Sequence, residues 1–415
     1  MMRKRLALAL IALLSMPLGA ARANVAPDPV LEWNAIMVTT LSGQNPFAQA
    51  RLAAITQLAV FEAVNAVSGD SDSYVGLLAA PPGASAEAAA VAAAHAVLTL
   101  YVPLATPSLD AARVTSLAAI PDGQSEDDGI AIGQAAAAAM IAARAADGSS
   151  PPQSFVPTSS DPGMWQLTPS CPASGGILLH WRNLTPFGIE SNAQFRSSPP
   201  PALTSPTYAR DYEEVVRVGA VDSVERPLDR AHVALLFNSL LAVGAWNGVA
   251  RQLADDQPLG LSEHARVLAL LNMAISDGLA SSMETKYHFL VWRPETAVRA
   301  GEADSNPRTV GDADFAPFIS TPCFPSYPSA HASASYAALA ILERVWGNGG
   351  HSLELGHPAV PGLARYTRLK QITDDIDDAR VYGGIHFRFD QEAGAKQGLR
   401  VGQFIFAHHL LPADQ

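Results

Sequence analysis

Only two cysteines, Cys171 and Cys323, occur in 415 residues. That is too few for a thiolate zinc site. One disulfide between them stays open, because separation in sequence says nothing about geometry. Lysine is scarcer still past the N-terminus, with Lys286, Lys370 and Lys396 alone beyond residue 23. Stretches that alternate with period two are few, and Val-Ile-Thr-rich runs are rare, which disfavours a sheet architecture. No G-x-S-x-G elbow and no H-E-x-x-H pair is present, so the usual hydrolase nucleophile and metalloprotease signatures are missing. Past the leader no apolar run reaches the roughly 20 residues of a membrane span.

The chain opens MMRKRLALALIALLSMPLGAARA. A basic start, a short apolar run and a small-x-small end read as a signal peptide over 1–23, cut after Ala23, and imply a secreted or periplasmic protein. The leader takes four of the 27 basic residues and none of the 39 acidic ones, leaving 23 against 39 and a net charge of −16. Such a chain is repelled by phosphate backbones and anionic lipid, so nucleic acid is excluded as a partner class.

Three stretches follow. Residues 24–150 form an N-terminal helical region: apolar residues recur at helical spacing over 31–67, and alanine-rich patterns cover 84–101 and 126–146. Residues 151–222 begin with dense Pro, Ser and Gly (PPQSFVPTSSDPG, LTPSCPASGG, FRSSPPPALTSP) threaded with Phe155, Trp165, Trp181, Phe187 and Phe195. They predict a segment wrapping the core without long regular elements. Residues 223–415 form a C-terminal helical catalytic region. Helical patterns run over 209–220, 227–250, 262–300, 329–347, 362–379 and 391–410. The fold class is all-α, helices packed as bundles, with 24–415 as one compact unit.

Three pieces of the last third carry the chemistry. In KYHFLVWRP, Lys286 and Arg293 are seven apart, almost two helical turns, so a continuous helix turns both to one side. In PSYPSAH, Ser329 is placed as an N-cap, which gives His331 a position in the first turn of a helix. A helix start offers free N–H groups and partial positive charge to an anion. In ARVYGGIHFRFDQ, Gly383 and Gly384 break the helix so that Arg380 and His386 can turn toward one point. Asp390, four residues after His386, can hold one ring nitrogen and leave the other free. Separately each piece reads as ordinary helix furniture. Together they assemble three fixed cations, helix-start donors and two histidines, a receptor for a tetrahedral oxyanion.

The order K-x6-R-P, P-S-x-H, R-x5-H-x3-D resembles the signature of vanadium-dependent haloperoxidases and the type 2 phosphatidic acid phosphatase superfamily. WNAI, EAVNAV and FGIESNAQFRSSPPPALTSPTYARDYEEV are similar to the bacterial vanadium haloperoxidase-like group, so the resemblance spans most of the chain. It implies helical bundles and a vanadate cofactor, whose site phosphate can also occupy. Lys286, Arg293 and Arg380 would take the oxygens, aided by Ser329 and the Ala330 N–H. His386, oriented by Asp390, would be the metal ligand, and His331 the acid–base residue. Hydrogen peroxide, a halide and a small organic acceptor would be the partners. Phe324 corresponds to an aromatic position of chloride-oxidising members, and Met283 stands where a tryptophan lines the halide pocket. Ala330 replaces the usual glycine, and Ala379 a common serine.

The same residues suit two other readings. One is a soluble exported acid phosphatase in which His386 forms a phosphohistidine and His331 protonates the leaving alcohol. The other is a non-catalytic oxyanion-binding protein. The halide, the acceptor and the oligomeric state are not legible in the chain.

Overall fold

The computed structural model describes residues 28–76 and 78–413, so the leader read at 1–23 lies outside it. Helices α1 (Pro29–Leu41) and α2 (Pro46–Ser68) start on Asp28 and Asn45, whose side chains accept first-turn N–H groups. Proline fills the first helical position of both, where no N–H is needed. Helix α2 is apolar on nearly every side because it is a core helix. Contrary to the sequence reading, it is long and apolar enough to cross a membrane, because its two charges, Arg51 and Glu62, interrupt the run without making it polar. However, 89% of its most apolar stretch is buried inside the protein.

Around α2 pack α3 (Ala86–Tyr101) and α5 (Gln124–Ala143), and α4 (Thr106–Leu117) packs against α3. Small residues set the spacing: a Cβ on Gly129 or Gly133 of α5 would meet the α3-side carbonyls of Ser85 or Ala89 at 2.3 Å. Helix α4 falls in a stretch with no clear apolar periodicity and buries only Leu109 and Ser116. Residues 144–205 contain only a short 3-10 turn, Leu179–Asn183. They are held by buried Trp165, Trp181 and Phe187. The N–H groups of Phe187, Gly188 and Ile189 all donate to the buried carboxylate of Asp277. That burial raises the Asp277 carboxyl to about 6, against the lowering effect of the three donors.

The rest of the chain supplies α6 (Pro206–Gly219), α7 (Leu228–Ser239), α8 (Ala242–Asp256), α9 (Leu261–Phe289), α10 (Pro294–Arg299) and α11 (Ala330–Trp346). A hairpin of β1 (Gly349–His357) and β2 (Val360–Arg368) follows, then α12 (Leu369–Tyr382) and α13 (Arg388–His408). Three expectations are corrected here. The helix read over 227–250 is two helices, bent by 101° at Leu240 and Leu241. The helix read over 262–300 ends at Phe289, where Leu290 takes a left-handed conformation with φ +52°. The helix read from 362 starts only at Leu369, because 360–368 pairs with β1, Leu353 opposite Tyr366 and Glu354 opposite Arg365. Leu353 and Leu355 alternate inward, so the period-two signal was there but short. Apart from this hairpin and a few isolated bridges, the regular structure of the described residues is helical, packed as bundles around the irregular wrapping segment.

Helix α9 is the axis, with 24 of its residues buried. Its Asn272 shares a buried amide network with Asn247 of α8 and Asn34 of α1, which ties the N-terminal bundle to the C-terminal one. One apolar cluster runs from Val30 to Leu410.

Helices α11 and α13 approach closely along Gly394, Gly398 and Gly402. A Cβ at these positions would meet the carbonyls of Ser329, Ser333 and Ala337 at 2.5, 2.1 and 2.4 Å. The stripe lets the Ser329 N–H reach the Asp390 carbonyl at 2.9 Å, so the start of α11 is clamped to the start of α13. Gly398→Ala forces those backbones apart and lowers unfolding free energy in urea by about 1–3 kcal/mol. Gly248→Ala in α8 meets nothing nearer than 4.0 Å and raises it by about 0.5 kcal/mol. An unchanged midpoint for Gly398→Ala contradicts the clamp.

Candidate active site

Lys286 and Arg293 converge by a different route from the one their spacing suggests. Lys286 lies in the last turn of α9. The left-handed Leu290 then ends the helix, and Arg293 caps α10 just before Pro294. Both side chains fall on one loop: Lys286 Nζ donates to the carbonyls of Pro325 (2.9 Å) and Ser326 (2.6 Å), and Arg293 Nε to that of Phe324 (2.9 Å). The half-buried Phe324 ring lies 5.3 Å from Lys286 Nζ and 5.0 Å from the Arg293 guanidinium carbon, within cation–π reach of both.

The glycine pair works as a hinge. Helix α12 stops at Tyr382, and Gly384 has φ +78° with no room for a Cβ, which would meet the Gly219 carbonyl at 2.3 Å. Arg380, in the last turn of α12, sends Nη1 to the Phe237 carbonyl at 3.3 Å. Past the hinge, Arg293 Nη1 donates to the Ile385 carbonyl (2.8 Å) and to His386 Nε2 (3.0 Å). On its other side, His386 Nδ1 lies 2.8 Å from Asp390 Oδ2. With Nε2 accepting from a guanidinium, the ring carries its proton on Nδ1, donates it to Asp390 and keeps its Nε2 lone pair. The pair is not on a helix surface, because His386 precedes α13 and both residues are buried. Asp390 Oδ2 also accepts from Phe387 N (3.1 Å) and Ser326 Oγ (2.6 Å).

Ser329 is fully buried and caps α11, its hydroxyl accepting from Ala332 N at 3.3 Å. Ala330 opens that helix, so its N–H belongs to the free first turn. His331, half-buried, follows it. Met283 is fully buried in the main apolar cluster, one turn before Lys286.

Sequence reasoning overlooked Ser326 and the backbone carbonyls of Phe237, Phe324, Pro325 and Ile385. Carbonyl acceptors carry no residue-type signature, so no pattern exposes them. Ser326 did have a signal, as a second serine in PSYPS three residues before the cap. The two cysteines are paired, with Cα atoms 5.0 Å apart, which fastens the wrapping segment to the residue just before Phe324.

Electrostatically the site is unbalanced: three buried cations face one buried carboxylate. Burial, with repulsion from Arg293 and Arg380, lowers the Lys286 ammonium well below the usual lysine range, although Asp390 opposes the shift. Burial brings Arg293 to about 9 and Arg380 to about 10. His331 and His386 are pushed well down by burial and then by the same cations, so both are neutral at pH 7. Burial raises Asp390 to about 6, against the pull of Ser326 and Lys286.

Two guanidinium donors, Arg293 Nη2 and Arg380 Nε, are buried without an acceptor among the described residues. Their chemistry, with the unprotonated Nε2 of His386 that now accepts from Arg293 Nη1, fits an oxyanion bound through its oxygens and central atom. Phosphate or orthovanadate therefore raises the melting temperature, by the equivalent of about 2.7 kcal/mol at one hundred times Kd. Arg380→Met removes a buried like charge that makes one long hydrogen bond. Differential scanning fluorimetry will find it at least as stable as wild type in anion-free buffer and unresponsive to phosphate. A full response in this variant contradicts the site.

The family model for the VCPO second helical-bundle domain matches residues 266–414. Sequence comparison with curated proteins finds no match. A solved structure described as the first bacterial vanadium-dependent iodoperoxidase is 25% identical, with a TM-score of 0.77 over 95% of this chain and 99% of that one. Holo and apo structures of a bacterial vanadium-dependent chloroperoxidase are 16% and 17% identical, each with a TM-score of 0.72. They cover 89% and 90% of this chain and 93% and 98% of theirs. The last third of the chain thus matches the VCPO second helical-bundle domain, within a fold shared over nearly the whole length with a bacterial vanadium-dependent iodoperoxidase.

Proposed function

We propose that the chain is a vanadate-dependent haloperoxidase, oxidising a halide with hydrogen peroxide to hypohalous acid that halogenates a small organic acceptor. The observation that carries this reading is His386: buried beside three cations, with Nδ1 held by Asp390 and Nε2 unprotonated, its lone pair accepting from Arg293. The similarity to an iodoperoxidase over 95% of the chain supports it.

Lys286, Arg293 and Arg380 bind the oxyanion oxygens, and the first turn of α11 adds the Ser329 hydroxyl and the Ala330 N–H. When bound, vanadate supplies a Lewis-acidic vanadium(V) that polarises peroxide without changing oxidation state. His386 offers Nε2 as the ligand nitrogen, and Asp390 fixes its tautomer. His331 is neutral at pH 7 under its burial and the repulsion of the cations, so it would serve as the acid–base residue, taking up and giving back a proton beside the bound oxyanion. Phe324, lying over both cations, and Met283 shape the side from which the halide enters. Export through the 1–23 leader suits the disulfide, which persists in an oxidising compartment, and a product that reacts with thiols.

The test incubates purified protein with orthovanadate, peroxide and iodide or bromide and follows halogenation of a dimedone-type acceptor, with aryl-phosphate hydrolysis in parallel. Halogenation should require vanadate. His386→Ala lowers it at least about 100-fold, and His331→Ala about 10²–10⁴-fold. Phosphate release without halogenation makes the chain an acid phosphatase, and oxyanion binding with neither activity makes it a binding protein.

A further inference from the structure

Ser326 joins the two halves of the site and has no place in the ligand set above. Its side chain is completely buried. The hydroxyl donates to Asp390 Oδ2 at 2.6 Å, on the oxygen that receives the His386 Nδ1 proton, and lies 3.4 Å from that nitrogen. Its carbonyl accepts the Lys286 ammonium, also at 2.6 Å. Its N–H donates to the Val291 carbonyl at 2.9 Å, in the linker between Lys286 and Arg293. All three of its polar groups are thus engaged by the frame of the site. We infer that Ser326 is a positioning residue for vanadate, bracing the Asp390 carboxylate so that the His386 ring presents Nε2 to the oxyanion while Lys286 is held in register.

The physical argument concerns orientation. Asp390 Oδ1 is buried with no partner among the described residues, so the carboxylate plane is set entirely through Oδ2. Three donors reach that oxygen: the ring N–H, the Phe387 backbone N–H and the Ser326 hydroxyl. The ring is what must be positioned, and the Phe387 N–H sits next to it in the chain. Ser326 is the one anchor that comes from another segment. Remove its hydroxyl and the carboxylate can rotate toward its unpartnered oxygen, which frees the imidazole to turn and to exchange tautomers. Partners behind a ligating histidine commonly contribute 10–100-fold to metal affinity.

This inference rests on His386 as the vanadate ligand, so the experiment separates the two. Orthovanadate and inorganic phosphate binding are measured by calorimetry for wild type, Ser326→Ala and Ser326→Thr. His386 ring nitrogens are followed by 15N NMR, with His386→Ala supplying the assignment. Wild type is expected to bind vanadate and to show the Nδ1–H tautomer. Ser326→Ala should fold with an unchanged far-UV spectrum, bind vanadate about 10–100-fold more weakly and populate both tautomers. The threonine variant, which keeps the hydroxyl, should recover the single tautomer and most of the affinity. If wild type binds vanadate but Ser326→Ala matches it within twofold with an unchanged tautomer, the brace is refuted. If wild type binds neither anion, the function proposed above fails first.

Discussion

The structure is organised around an electrostatic debt: Lys286, Arg293 and Arg380 are buried together with a single carboxylate to offset them. Isolated buried charge is expensive, and like charges in a medium of low effective dielectric repel strongly. The protein offsets part of that cost with backbone carbonyls: Phe324, Pro325 and Ser326 from one loop, Ile385 from the hinge and Phe237 from α7. Two guanidinium donors are left over. A site that solvates its cations with fixed dipoles and still retains spare donors is preorganised for an anion.

Holding those dipoles in place explains much of the remaining architecture. The carbonyl-bearing loop lies between the Cys171–Cys323 bridge and the cap of α11. The glycine stripe of α13 draws that cap onto Asp390. The wrapping segment, anchored by Asp277 on α9, closes over the same helix whose last turn carries Lys286. Each device is local, and together they fix side chains from four separate helices around one point.

Much of this was legible in the chain. Helices that bury one broad face announce themselves by periodicity, and glycine, proline and serine mark α11 and the Gly383–Gly384 hinge by their backbone preferences. Two kinds of feature were hidden. Breaks inside apolar stretches, at Leu240 and Leu290, use residues that form helices well elsewhere, so only tertiary packing decides them. Lys286 and Arg293 do meet, but across the end of α9 at Leu290 and a short non-helical linker, which the seven-residue spacing mimics by coincidence. The β1–β2 hairpin was missed because its alternation is brief and sits beside a true helix pattern. The site residues that bear charge could be named from sequence; the carbonyls that solvate them, and Ser326 behind the histidine, required coordinates.

The central claim is that the three cations and His386 form one receptor in which the histidine bonds the central atom of the oxyanion. A crystal structure of the protein with orthovanadate tests it most directly. The account predicts vanadium bonded to His386 Nε2, with its oxygens on Lys286, Arg293 and Arg380 and the His386–Asp390 contact intact. Vanadate bound away from His386, or held only by surface cations while Arg293 and Arg380 keep their present partners, would contradict it.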